Sequence, residues 1–323
     1  MLANRPSSSF PSCRSKHDGQ RRSWLFVAAL AALPACARAE PRSSPGPEPG
    51  EARRSTTLTH LGVAGWKLES PSGTLLFDPY VTRANVEDDA APLVSDEAAI
   101  DASIPRRADV VLVGHSHYDH VLDVPSIARR TGATVIGTES TRNLVHAAGL
   151  AGDRVRVARG SETFDIGPFS IRPVRALHSL TGVENKEIPS TVSLPLPAGA
   201  YDEGGTLQYL VRFEGRTFFF VGTANFIEDE VRALGVRPDV AVVAVGLRNK
   251  VPDYTCRLLR ALGLPKTVLP NHFDEFWKPL TPGKIELDAK TRADLDAFAA
   301  EVKSCAPDTN VHVPVHLERI DIR

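Results

Sequence analysis

The sequence predicts a layered α/β domain, and three kinds of segment predict it. Runs such as "ADVVLVGH" and "PDVAVVAVG" are apolar throughout, as in strands buried on both faces. Between them lie segments with helical start and stop signals. Other strands are linked directly by turns, so hairpins and crossovers both occur, which implies packed layers of sheet and helix.

Taken in order, "TLTHLGVAGWKLES" and "GTLLFDPY" read as two short strands joined by a turn at Pro71 to Gly73. "VSDEAAIDASI" opens a helix with Ser95, Asp96 and Glu97. "ADVVLVGH" is a strand, "VPSIARRTG" a helix ending at Gly132, "ATVIGT" a strand, and "STRNLVHAAGL" a helix ending at Gly149. Strands follow at "DRVRVAR", "ETFDIG" and "FSIRPVRALH". "TLQYLVRFEGRTFFFVGT" reads as a hairpin turning at Glu214 and Gly215. "IEDEVRALG" is helical, "PDVAVVAVG" a buried strand, "YTCRLLRALGL" a helix and "KTVLPNH" a short strand. "DAKTRADLDAFAAEVKSC" is the last long helix, and "NVHVPVHLERI" a closing strand. No internal repeat is visible.

The chain of 323 residues divides into three parts. Residues 1–39 form an export signal, with a basic flank and an apolar run from Trp24 too short to span a bilayer comfortably. "RRSWL" resembles a twin-arginine signal, and "LPAC" resembles a lipobox that would make Cys36 a lipidated first residue. Cleavage after Ala39 is the competing outcome. Residues 40–54 are rich in Pro, Gly, Ser and charge and read as a flexible tether. Residues 55–323 form the folded domain. Its two cysteines, Cys256 and Cys305, either pair or stand as separate buried thiols. The formal net charge of -1 gives no basic field for nucleic acid, so a small-molecule or lipid-like substrate is expected.

"VLVGHSHYDHV" carries the chemistry. Alternation along an extended segment points His115 and His117 the same way, so both can hold one ion. Asp119 and His120 come at the turn into a helix and can address a second ion. Imidazole suits zinc and similar ions, and a carboxylate adds a hard oxygen ligand. A polar surface loop is the weaker reading of so dense a pattern.

"HSHYDH" resembles the His-x-His-x-Asp-His signature of the metallo-β-lactamase superfamily, and the resemblance runs in order from about Thr57 to the end. It implies an αββα sandwich of two mixed sheets flanked by helices. "LLFDPY" looks like an early strand ending in an aspartate, Asp78. "VRALHS" places His178 as the third ligand of a first metal with His115 and His117. "VLPNHFDEF" places His272 as a ligand of a second, with Asp119 and His120. The arrangement is most similar to the branch that includes ascorbate-phosphate lactonases and phosphodiesterases acting on N-acyl phosphatidylethanolamines. The resemblance implies a hydrolase that uses one or two zinc ions, with Mn2+ or Fe2+ also compatible. A metal-activated water would attack an ester, lactone or phosphodiester, and Asp119 would orient that water or shuttle its proton.

Two positions depart from the pattern. In "FFFVGTANF", Gly222 is followed by Thr223 where the family has a bridging aspartate, and Val63 stands in "HLGVAGW" where relatives often have a histidine. A non-catalytic metal- or ligand-binding member of the fold is therefore the alternative. The remaining histidines carry blander expectations. His312 and His316 share a solvated face of the closing strand, His60 packs, and His146 faces solvent. The segment Thr181–Gly205 is expected to reach over the metals, and Trp277 either lines the pocket or packs in the core.

Overall fold

In the computed structural model, residues 55–183 and 185–322 are described. The export signal with Cys36 and the whole tether lie outside them.

The chain builds one sheet with its first half and a second with its second half. The first half supplies β1 (Thr56–Gly62), β2 (Gly65–Ser70), β3 (Gly73–Phe77), β4 (Val110–Leu112), β5 (Thr134–Gly137) and β6 (Val155–Val157). The second supplies β7 (Phe164–Ile166), β8 (Phe169–Ala176), β9 (Thr206–Phe213), β10 (Arg216–Val221), β11 (Val240–Ala244), β12 (Thr267–Asn271) and β13 (Asn310–Val311). The last strand, β14 (Arg319–Ile322), returns to the first sheet. The two seven-stranded sheets run β14-β1-β2-β3-β4-β5-β6 and β13-β12-β11-β10-β9-β8-β7. Both are mixed: β3 to β6 pair in parallel, as do β10 to β13, and the other pairs are antiparallel.

Period-two alternation sorts the apolar residues into three layers. Leu75, Phe77, Val110, Leu112, Phe218, Phe220, Val240 and Val242 meet between the sheets. Their neighbours Leu76, Val111 and Val113 face outward onto α1 (Glu97–Ser103), α2 (Tyr118–Val121), α3 (Val124–Thr131) and α4 (Glu139–Ala147). Phe219, Val221, Ala241 and Val243 face the other way, onto α5 (Glu228–Arg232), α6 (Tyr254–Ala261) and α7 (Ala289–Cys305). Helix, sheet, sheet, helix is the αββα sandwich.

Polar side chains cap three helix starts, the first of them at the Ser95–Glu97 signal read from sequence. Asp96 caps α1, Thr138 caps α4 and Asp288 caps α7, each with its side chain accepting backbone N–H groups of the first turn. The hairpin turns where expected, with Glu214 at φ 50° and Gly215 at φ 69°.

Two strand expectations are corrected. "TLTHLGVAGWKLES" is not one strand but two, β1 and β2, folded back at Val63, which sits at φ 48°. That left-handed backbone is held from afar. The Val63 N–H donates to Asp274 Oδ1 at 2.7 Å, and its carbonyl accepts from the His272 N–H at 2.7 Å. "NVHVPVHLERI" is likewise split, with β13 on the second sheet and β14 on the first. Pro314, which has no N–H to give a ladder, lies in the crossing. His312 and His316 therefore do not share a strand face. His316 is buried, and its Nε2 contacts Asp274 Oδ2 at 2.9 Å. His60 is fully buried in the core, and His146 is exposed, both as expected.

Cys256 on α6 and Cys305 at the end of α7 form a disulfide, which resolves the choice left open by sequence. No helix among the described residues is long and apolar enough to cross a membrane.

Candidate metal centre

All six predicted ligands come together, in the two groups expected, from the segments after β4, β8 and β12 and from α2. His115, His117 and His178 form one, and Asp119, His120 and His272 the other; within each, the candidate ligand atoms lie within 4.8 Å of one another. The groups adjoin, with the His115 and His120 rings 3.8 Å apart between centroids.

The first group is made of uncharged donors. His115 Nε2 and His117 Nδ1 stand 3.0 Å apart, and the His178 Nδ1 bonds its neighbour's carbonyl, Ser179 O, at 3.0 Å, which leaves Nε2 toward the group. Burial holds all three imidazoles below their usual values, helped for His115 by His120 and His117, and His178 is lowered to about 3. Neutral imidazoles with converging lone pairs are what a metal ion needs.

The second group is braced by carboxylates. Asp78, at the end of β3, is fully buried at φ 42°. It accepts the Gly114 N–H at 2.6 Å through Oδ1 and holds His120 Nδ1 at 2.7 Å through Oδ2. A Cβ at Gly222 would lie 2.5 Å from that carboxylate, so the position after β10 has to be glycine. His120 Nε2 then faces Asp119 Oδ2 at 3.3 Å, and His272 Nε2 meets the same oxygen at 3.2 Å. Burial acts to lower the His120 value, but Asp119 and Asp78 outweigh it and push it up to about 10. Burial would raise Asp119, yet His120 and His272 hold it well below the usual carboxylate range. The carboxylates draw positive charge to this corner, which a bound dication would supply.

His272 itself sits at φ 56°, just beyond β12. Behind it lies a buried network that the sequence did not reveal. Arg83 Nη2 donates to Asp274 Oδ2 at 2.9 Å, both side chains being almost wholly buried, and Arg83 Nη1 donates to Glu275 O at 3.0 Å. With His316 on the same carboxylate, Asp274 is fully engaged.

Thr223, at the position of the expected bridging carboxylate, has its hydroxyl committed elsewhere. It accepts the Ser179 N–H at 3.0 Å and contacts the Ser179 hydroxyl at 2.7 Å. Asn225 Nδ2 donates to His178 O at 3.0 Å. The "GTAN" turn thus fastens the loop that carries His178.

Both groups open into a cavity of about 690 Å³. Of the segment Thr181–Gly205, only Thr181 lines it. Further along, that segment packs on α4, with Ile188 buried and its carbonyl accepting from Asn143 at 2.8 Å. The far wall is instead α7, through Lys290, Thr291, Ala293, Asp294 and Ala297. Phe276 rather than Trp277 lines the cavity, edge-on to His272 at 4.9 Å between centroids; Trp277 is half exposed.

The sequence model of the Beta-lactamase superfamily domain matches residues 74–273. A UPF0173 metal-dependent hydrolase of Anaeromyxobacter sp. (strain K) is 27% identical over 256 residues, covering 77% of this chain and 86% of the relative. Another from Myxococcus xanthus (strain DK1622) is 26% identical over 266 residues, covering 81% and 82%. Among solved structures, the novel metallo hydrolase Igni18 from Ignicoccus hospitalis KIN4/I superposes with a TM-score of 0.57 at 20% identity, over 83% of this chain and 99% of that one. The diiron β-hydroxylase CmlA from Streptomyces venezuelae superposes at 0.56 and 16% identity, over 84% of this chain and 55% of that one. Both likenesses are of fold.

Proposed function

We propose, from the premise that this chain belongs to the beta-lactamase superfamily, that it is a metal-dependent hydrolase acting on an ester, lactone or phosphodiester bond. The observation that carries the reading is the pair of facing ligand groups, His115–His117–His178 and Asp119–His120–His272, at one cavity. The residues fit metal ions. The first group offers three neutral nitrogens. The second sets one carboxylate and two imidazoles together, with His120 Nε2 buried and matched by no hydrogen bond. Zinc is the ion this donor set suits best, with Mn2+ or Fe2+ as alternatives.

A bound ion of this kind supplies a water activated to attack near neutral pH and polarises the substrate oxygen. The chain's own residues do the rest. Asp119, whose Oδ2 lies between His120 Nε2 and His272 Nε2, would orient the attacking water or shuttle its proton. Asp78 fixes the His120 tautomer with Nε2 toward the site. Thr223 and Asn225 keep His178 in place, and α7 shields one side from bulk water. The test is a screen of metal-loaded protein against esters, lactones and phosphodiesters. Turnover that disappears with chelation and returns with metal supports the reading. Inactivity of fully loaded protein on every class favours the binding-only alternative.

The protein is proposed to work outside the cytoplasm, anchored to a membrane through a lipid on Cys36. The basic and apolar start of the sequence and the "LPAC" stretch support this, and the Cys256–Cys305 disulfide suits an oxidising compartment. Intact-mass analysis of protein from its native membrane decides: a lipidated chain beginning at Cys36 is expected, and a soluble one beginning at Glu40 removes the anchor.

A further inference from the structure

The cavity is far less polar away from the metal centre than at it. Val245, Leu247, Phe273, Phe276, Ala293 and Ala297 give it an aromatic and aliphatic wall on one side and a shallow, small-residue helix face on the other. Apart from five of the ligands (His115, His117, Asp119, His178 and His272), its ionisable lining consists of Asp274, Asp294 and Lys290. Asp274 is engaged by Arg83 and His316, and Asp294 accepts from Arg248 at 2.6 Å. That leaves Lys290, on the first turn of α7, as the one cationic side chain on the described lining besides histidines, and no arginine lines it. The mouth continues the apolar character. Leu177 and Leu180, which bracket His178, and Leu247 at the lining are each 42–50% exposed. Large apolar side chains left in water beside a concave site mark where an apolar ligand is covered.

Resting on the hydrolase reading above, we infer that the bond cleaved is a carboxylic ester whose acyl part is an extended apolar chain. The chain lies between Phe273–Phe276 and the Ala293–Ala297 face of α7. The carbonyl sits at the metal centre and the chain runs along the trough. Water adds at the acyl carbon, the carbon–oxygen bond to the alcohol breaks, and the alcohol oxygen leaves with a proton; acid and alcohol together account for every atom. A phosphodiester fits less well, because away from the metal centre its anion would meet only Lys290 among non-histidine cations on the described lining and otherwise a largely apolar wall. The small residues at 293 and 297 set the width of the trough, as side chains of any size there would fill it.

The experiment reads binding and turnover separately. Straight-chain hydroxamic acids of two, four and eight carbons are titrated calorimetrically into metal-loaded protein. Affinity should rise by about threefold or more per methylene that becomes buried. Ala297→Trp should flatten that rise, whereas Asp296→Trp, on the exposed helix surface outside the lining, should keep it. Both positions are exposed, so circular dichroism should show both variants folded. In parallel, kcat/KM is measured on p-nitrophenyl acetate, butyrate and octanoate and on bis(p-nitrophenyl) phosphate. Octanoate should lead, and the phosphate should trail by tenfold or more. A flat hydroxamate series, an unchanged series in Ala297→Trp, or a preference for the phosphate overturns the inference. A rising hydroxamate series with no turnover of any ester overturns the hydrolase reading and leaves the apolar trough standing.

Discussion

The two ligand groups lie side by side but are held by opposite means. The His115–His117–His178 group contains no carboxylate, and its bracing comes from a carbonyl, Ser179 O, and the hydroxyl clamp between Thr223 and Ser179. The Asp119–His120–His272 group contains a carboxylate and is backed by two more, Asp78 behind His120 and Asp274 beneath the turn that carries His272. One group offers neutral nitrogen to a cation and needs little charge around it. The other is assembled from buried charges that stabilise the fold only while each keeps its partner. Metal affinity and fold stability should therefore be separable in the first group and coupled in the second.

The largest effect expected is that of His115→Ala. It should remove the first-group ion and reduce hydrolysis to the uncatalysed background while the melting temperature of the metal-free protein barely moves. Elemental analysis beside calorimetry checks both halves, and a large fall in metal-free stability would break the contrast. Arg83→Ala, with no candidate ligand touched, should act the other way round. It leaves Asp274 buried beside His316 without its cation, which costs about 3–5 kcal/mol in denaturant unfolding, and it should loosen the ion held through His272.

Acid also bears on His60, which is buried against Phe273 and His316 behind the second group. Burial lowers His60 to about 4 from 6.5, with His316 and Arg83 adding to the effect against Asp274. The unfolded chain then takes up a proton at His60 before the folded one does. This stability is complete above about pH 6.5 and fades as pH falls toward 4, by up to about 3 kcal/mol. His60→Phe, which keeps a ring against Trp66 and Phe273, should flatten melting temperature against pH in that window. An unchanged profile would place the acid sensitivity elsewhere. The smallest effect sharpens the contrast from the first side. Thr223→Asp keeps an acceptor for the Ser179 N–H and hydroxyl and adds a negative charge at the border of the two groups. Metal should leave at least tenfold more slowly in dialysis against a mild chelator, about 1.4 kcal/mol of retention. Equal loss from wild type and variant would mean that another residue already bridges.

The sequence shows some of this better than the rest because of the range over which each feature is determined. The three apolar layers, the caps at Asp96, Thr138 and Asp288, and the six ligands are written locally, in periodicity and in spacing along one or two elements. Val63 gives no turn signal of its own, because its backbone is fixed by Asp274 and His272, more than two hundred residues away. The alternating His and Val of 311–316 imitate a strand, and only the partnership of His316 with Asp274 shows that the chain leaves one sheet for the other there. The pattern of α7 announces a helix but not that its Ala293–Ala297 face would wall the cavity, since small exposed residues look the same whether they face solvent or substrate.

That wall behaves as a cantilever. Its far end is riveted to α6 by Cys256–Cys305, and its middle is pinned where Arg248 donates to both Asp294 and Glu301. The overhang is the first turn, Ala289 to Ala293, where the Asp288 side chain caps the Thr291 N–H. Compliance should then be graded along the helix. Hydrogen exchange should be quick at residues 289–293 and slow from 297 to 305, and reducing the disulfide should let the slow zone retreat toward Asp294. If exchange is graded in this way, the cavity has a stiff floor near Ala297 and a yielding lip at Lys290, and ligands of different bulk should be sorted by how far past the lip they must go.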